Sequence, residues 1–218
     1  MTPHPVAVAV LVSGGGSNLQ ALLDALRGSP HARIARVVSS RAGAGALERA
    51  QRAGVPTIVL ADPGDAREIA AAAGEVRLVV LAGYLKRVPA AAVAQFRWSM
   101  INIHPALLPA FGGPGMYGRR VHQAVLASGA MLSGATVHYV DEEFDRGPII
   151  TQWPVPVRPD DTAESLGARV LDVEHRLLPQ VVLELARRGV PKEPVRLFAS
   201  GSAFVTGDNV AINFESDG

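Results

Sequence analysis

Short runs of β-branched and aliphatic residues alternate with Ala/Leu-rich stretches of helical character from the amino terminus onward. The apolar runs predict strands over 6–12, 34–39, 57–60, 78–82 and 99–104, and the intervening stretches predict helices over 18–27, 44–53, 66–73, 89–96 and 118–128. Within each run nearly every position is apolar, as expected of strands covered by helices on both faces of a parallel sheet. The fold class is therefore α/β, a doubly wound and mostly parallel Rossmann-like sheet. Two further runs, over 135–140 and 149–155, predict a strand pair in antiparallel arrangement, the C-terminal part of the sheet. A long helix over 162–188 follows, interrupted or bent near Pro179, because proline removes a helical hydrogen bond. Past residue 190 the runs at 195–199, 203–206 and 210–214 read as a small β meander. The layout is one domain over 1–190 with a short β-rich tail over 191–218 that is not an independent domain.

The 218 residues, 48% of them hydrophobic, suffice for one buried core. The 21 basic and 20 acidic residues leave a net charge of +1, so no summed field argues for nucleic acid or an anionic membrane. Small molecules are the expected partners, with the protein a monomer or homodimer. The absence of cysteine removes thiolate nucleophiles, thiolate metal ligands and disulfides. No basic segment precedes the first apolar run, which ends at Ser13, too early for a signal or a membrane span. A soluble, cytoplasmic protein is expected.

Two places carry candidate chemistry. The first βα turn, Ser13-Gly14-Gly15-Gly16-Ser17-Asn18-Leu19, would let backbone N–H groups gather an anion at a helix N-terminus. An equally good reading is a tight turn with Ser17 or Asn18 capping the helix. The loop lacks the third glycine of a dinucleotide fingerprint and the Lys-Ser/Thr of a P-loop, and Ser39-Ser40-Arg41 supplies no acid for a ribose hydroxyl. Arg41 keeps an NADP-binding oxidoreductase open as an alternative. The second place is Asn102-Ile103-His104-Pro105, where Asn102 and His104 stand two apart at a strand end and so project to one face. Pro105 stops the strand at the sheet edge where α/β folds hold ligands. Asp145, before Arg146-Gly147-Pro148, supplies a carboxylate, although an exposed turn residue is its commoner fate. His122 and His138 read as structural or surface histidines, and no metal-ligand spacing joins them, so no metal is expected.

Taken together these motifs resemble the phosphoribosylglycinamide formyltransferase family, folate-dependent enzymes of purine biosynthesis. The resemblance runs from the opening strand to about residue 188. It rests on Leu11-Val12-Ser13-Gly14-Gly15-Gly16-Ser17-Asn18-Leu19-Gln20, Val80-Leu81-Ala82-Gly83-Tyr84-Leu85-Lys86-Arg87-Val88-Pro89 and Asn102-Ile103-His104-Pro105-Ala106-Leu107-Leu108-Pro109. The stretch from Thr136 to Ile150 and Val173-Glu174-His175 complete it. The resemblance implies a formyltransferase fold and formyl transfer from 10-formyltetrahydrofolate, as co-substrate, to the amine of phosphoribosylglycinamide. It implies that Asn102, His104 and Asp145 are catalytic and that Gly16, Ser17 and Asn18 hold the phosphate. Glu174 would contact the ribose side. Leu85, Lys86, Arg87 and Val88 would present backbone to the folate pteridine, with Val140, Asp141 and the residues up to Asp145 closing over it, and Arg67 would contact the folate. Asn102 and a protonated His104 would meet the oxyanion of the tetrahedral intermediate, with Asp145 raising the imidazole pKa. The loop at 109–118 departs from the family in its small residues, and contacts from 110–115 are not expected. A formyltetrahydrofolate deformylase shares the triplet and stands as the first alternative, with a non-catalytic nucleotide or folate binder behind it.

Overall fold

The computed structural model describes residues 4–198. Seven strands form one sheet in the order β3-β2-β1-β4-β5-β6-β7. Its parallel part comprises β1 (Val6–Val12), β2 (Ala32–Ser39), β3 (Thr57–Val59), β4 (Leu78–Leu81) and β5 (Met100–His104). Then β6 (Leu132–Tyr139) and β7 (Ile149–Pro156) add antiparallel to β5 and to each other. The helices are α1 (Ser17–Ala25), α2 (Gly45–Arg52), α3 (Ala66–Ala73), α4 (Ala90–Gln95), α5 (Arg119–Ser128) and α6 (Ala163–Arg187).

Adjacent residues of β1 enter different cores, which is why the sequence runs apolar without alternation. Val8, Val10 and Val12 pack in one cluster with Leu19 and Leu22 of α1 and Leu166, Val170 and Leu177 of α6. Ala9 and Leu11 pack in the other with Ile69 of α3 and Val93 of α4. Burying both sides removes the side chains of β4 and nearly all of β1 from water, at about 1.5–3 kcal/mol per large aliphatic residue.

The chain winds outward from β1 through β2 to β3, then crosses back to lay β4 on the other side of β1. That reversal parts the loops at the carboxyl ends of β1 and β4 and opens a crevice there. Ser13 bridges its two sides: its N–H donates to Gly83 O at 3.0 Å, and its Oγ accepts from Leu85 N–H at 2.9 Å.

Three expectations are corrected. The long helix is continuous from Ala163 to Arg187 and passes through Pro179 without interruption. Leu177, Leu178, Val181 and Val182 on both sides of Pro179 are fully buried in one cluster, and this packing outweighs the single lost backbone bond. No strand forms at 195–198. Instead Leu197, buried, donates its N–H to Ile150 O on β7 at 2.8 Å, while 199 and the runs at 203–206 and 210–214 lie outside the described residues. Neither Ser17 nor Asn18 caps α1. Its N-cap is Gly16, at φ 77°, which makes no side-chain cap bond.

The hairpin turn from β6 to β7 has one position with no space. A Cβ on Gly147 would lie 1.9 Å from Tyr139 O and 2.8 Å from the same carbonyl carbon, both backbone atoms. Gly147→Ala is therefore expected to lower the unfolding free energy by about 3 kcal/mol in urea denaturation. A midpoint matching the wild type would show that this turn relaxes freely.

Candidate active site

A cavity of about 580 Å³ opens at the carboxyl ends of β1, β4 and β5, a volume suited to a small organic ligand. Its floor is Asn102 and His104 at the end of β5. One wall is the segment 83–88 after β4, together with 140–145 after β6. The opposite wall is α6, which presents Ala163, Gly167, Val170 and Glu174 at helical spacing, and Asn18 and His122 close that end.

The catalytic candidates converge, and His138 joins them. Antiparallel pairing places Asn102 opposite His138 and His104 opposite Thr136. Asn102 Nδ2 lies 3.1 Å from His138 Nε2. The Asp145 carboxylate sits between two imidazoles, with Oδ2 3.5 Å from His104 Nδ1 and Oδ1 3.6 Å from His138 Nε2. Each ring is anchored by its outer nitrogen: His104 Nε2 donates to Phe111 O at 2.9 Å, and His138 Nδ1 donates to Tyr139 O at 2.8 Å. A carbonyl can only accept, so these contacts fix both tautomers and leave the inner nitrogens facing the carboxylate. Asp145 adopts the left-handed φ of 57° and accepts the Gly113 N–H at 2.9 Å. The loop at 109–118, from which no contact was expected, thus supplies two site contacts through its backbone, Phe111 O and Gly113 N–H. Side-chain identity could not announce them. The Leu108–Pro109 peptide in this loop is cis.

The turn after His104 is tied down from the neighbouring strands. Thr136 Oγ1 donates to Ala106 O at 2.6 Å and accepts the Leu108 N–H at 3.1 Å. Gln152 Nε2 adds a bond of 2.8 Å to Leu108 O.

Burial changes the protonation expected of His104. Desolvation pulls its pKa below the ordinary histidine value and outweighs the opposing field of Asp145. His104 is neutral at pH 7, a correction to the protonated state expected. Asp145 is also buried, which alone would raise its pKa. The His138 ring beside it, the field of His104 and the Gly113 N–H together hold it below the usual carboxylate value.

At the other end of the cavity Asn18 lines the wall, while Gly16 and Ser17 lie behind it at the start of α1. Gly16 is required there twice over. Its φ is positive, and a Cβ would lie 2.6 Å from Ala46 Cβ on α2. Arg49 of α2, which the sequence did not single out, donates from Nε to Gly15 O at 2.8 Å and orients this peptide. Asn18 Nδ2 donates to Glu174 Oε2 at 2.7 Å, a pairing across the cavity end. Glu174 is pushed up to about 7 by burial, against the lowering effect of Asn18.

On the remaining wall Leu85, Lys86, Arg87, Val88, Val140 and Asp141 all line the cavity. Arg87 Nη2 donates to Glu142 O at 2.8 Å and links the segment after β4 to the loop after β6. Arg67 is left outside. It is exposed in the first turn of α3, where its N–H donates to the capping Asp65 at 2.8 Å, and it does not border the cavity. Three buried polar atoms on lining residues have no partner: Asn18 Oδ1, Tyr84 Oη and His122 Nδ1. Burial and the field of Glu68 push the Tyr84 phenol up to about 12, so it is present only as a hydrogen-bond donor or acceptor and never as a phenolate. Among the described residues no three His, Cys, Asp or Glu side chains gather as a metal site, and no helix is long and apolar enough to cross a membrane.

The end of β5 and the loop between β6 and β7 thus bring together an amide, an imidazole and a carboxylate, groups that can stabilise an oxyanion and move protons in group transfer. The formyl transferase family model matches residues 6–182, and the chain belongs to that family. It is 38% identical over 184 residues to the phosphoribosylglycinamide formyltransferase of Haemophilus influenzae, covering 80% of this chain and 84% of that one. It is 43% identical over 192 residues to the chloroplastic phosphoribosylglycinamide formyltransferase of Vigna unguiculata, covering 84% of this chain. The chain spans 62% of that plant protein's length. Among solved structures, the phosphoribosylglycinamide formyltransferase of Anaplasma phagocytophilum superposes with a TM-score of 0.78 at 40% identity, covering 84% of this chain and 87% of that one.

The Glu174 shift sets a pH dependence. A carboxyl whose folded pKa is raised stabilises the fold below its unfolded pKa of 4.5, and that contribution is lost as pH rises through about 7. Glu174→Gln is expected to gain stability relative to wild type between pH 5 and pH 8, by up to about 3 kcal/mol. Parallel stability curves for the two proteins over that range would show that Glu174 ionises without cost.

Proposed function

We propose that this protein transfers the formyl group of 10-formyltetrahydrofolate to the amine of phosphoribosylglycinamide. One observation carries the reading: Asn18, in the uncapped first turn of α1, and the Asn102–His104–Asp145 group line the same cavity. An acceptor with a phosphate at one end and an amine at the other would reach both. The phosphate goes to the backbone N–H groups from Gly16, Ser17 and Asn18, which no side chain caps. Glu174 serves the ribose, and the folate ring lies along Leu85–Val88 beneath Val140 and Asp141. Arg67 keeps a place only for a folate portion that extends outside the cavity.

The amine nitrogen attacks the formyl carbon and forms the new C–N bond, and the carbonyl oxygen takes the electron pair. Asn102 Nδ2–H and the His104 Nε2–H meet that oxyanion. The His104 Nε2–H, held by Phe111 O, passes from that carbonyl to the oxyanion, which is a role for the loop at 109–118. As the bond from the formyl carbon to the folate nitrogen breaks, that nitrogen receives a proton through His104, and the amine loses one. Asp145 offsets the charge that His104 gains, while His138 holds Asp145 and Asn102 in place. Cytoplasmic location, a monomeric or homodimeric state, and a single catalytic unit over 1–190 carrying the segment 191–218 belong to the same proposal.

The test follows tetrahydrofolate release from 10-formyltetrahydrofolate by absorbance, with and without phosphoribosylglycinamide. Turnover is expected only with the ribonucleotide, and His104→Ala is expected to abolish it. Asn102→Ala should lower kcat by about 10²–10³. Turnover without the acceptor identifies a deformylase instead, and an unchanged kcat in Asn102→Ala removes the amide from the mechanism.

A further inference from the structure

His122 stands fourth in α5, between Val121, which is buried, and the cavity, which its ring borders. It is 7% exposed. Its Nδ1 is buried with no hydrogen-bond partner, which leaves Nε2 as the ring nitrogen available to a ligand. The opposite edge of the ring lies against α6 at the one cavity-facing position that has no side chain. A Cβ on Gly167 would meet His122 Cδ2 at 2.9 Å and Nε2 at 3.2 Å. Gly167 is in the interior of a helix, where glycine is unfavourable relative to alanine by about 1 kcal/mol. The helix therefore gives up stability at the position that makes room for this imidazole.

The tautomer follows from the surroundings. An N–H buried without an acceptor costs more than a lone pair buried without a donor, so the proton belongs on Nε2. Desolvation, with the field of His104 second, pulls the His122 pKa below the ordinary histidine value, and the ring is neutral at pH 7. The titratable groups lining the same cavity include His104 on β5, His138 on β6, Asp145 after β6, Arg119 on α5, and Glu164 and Glu174 on α6, with Lys86, Arg87 and Asp141 to Glu143 on the opposite wall. Arg119 and Glu164 are engaged with each other at 2.8 Å. What remains is a neutral N–H donor, held rigidly, on the same end of the cavity as Asn18 and Glu174 and away from the 83–88 wall.

The geometry points to His122 as a further substrate-contacting residue that donates from Nε2 to an oxygen of the phosphorylated acceptor and selects for it over the folate. The inference rests on the proposed function. It assigns to the acceptor a polar partner that the Asn102–His104–Asp145 group and the α1 N-terminus do not provide.

The test measures KM for each substrate separately, with kcat and thermal unfolding, in wild type, His122→Ala, His122→Gln and Gly167→Ala. His122→Ala should raise the acceptor KM about tenfold, the loss of one hydrogen bond, and leave the folate KM and kcat within about twofold. Glutamine places an N–H near the same point, so His122→Gln should recover most of the acceptor KM. Gly167→Ala should also raise the acceptor KM, because the added methyl displaces the ring while favouring the helix. An unchanged acceptor KM in both His122→Ala and Gly167→Ala overturns the inference. So does a rise in both KM values that tracks loss of thermal stability, which a purely structural histidine would produce. If wild type itself shows no ribonucleotide-dependent turnover, the proposed function fails and the inference falls with it. An active wild type with indifferent variants sinks the inference alone.

Discussion

Everything at the reacting end of the cavity depends on one carboxylate held between two imidazoles. The Asp145 carboxylate faces the inner nitrogens of both rings, while the two outer ones are committed to Phe111 O and Tyr139 O. The anchoring carbonyls come from different parts of the chain, one from the loop after β5 and one from β6 itself. Any movement of that loop therefore reaches His104 directly. A neutral His104 is the consequence of burial winning over this carboxylate.

The two ends of the cavity are built from different physics. At the start of α1, backbone dominates: a glycine N-cap packed against Ala46, an oriented peptide and an uncapped helix start. At the end of β5, side chains on a strand pair are brought face to face by antiparallel register, which a parallel sheet alone would not provide. Ser13 contacts Gly83 and Leu85, so the first βα turn and the segment after β4 are positioned as a unit.

Much of this was legible in the sequence, for identifiable reasons. All seven strands were readable because consecutive apolar residues have no other stable home in a chain of this size, and α3 was readable to the residue as an Ala-rich stretch between two apolar runs. Asn102 and His104 were readable as a pair because a strand repeats every two residues. His138 was not, because its partnership with Asn102 exists only through the register of β5 against β6. Phe111 and Gly113 were hidden for a different reason: they act through backbone atoms, which every residue has. The protonation of His104 was misjudged because a nearby carboxylate can be named from sequence, whereas the depth of burial cannot. Continuity through Pro179 was missed because local propensity carries no record of the packing on either side.

The left-handed backbone at Asp145 narrows the chemistry open to this position over time. At φ 57° only glycine, asparagine and aspartate sit without appreciable strain, so a glutamate cannot replace it by small repacking. Among single-residue steps, the comfortable neighbour is asparagine. It would still accept the Gly113 N–H and keep the loop in place, yet it would offer no charge to either imidazole. A lineage drifting through that step would keep the loop geometry and the cavity while removing the one carboxylate that faces both rings. Selection for stability alone would not defend that charge.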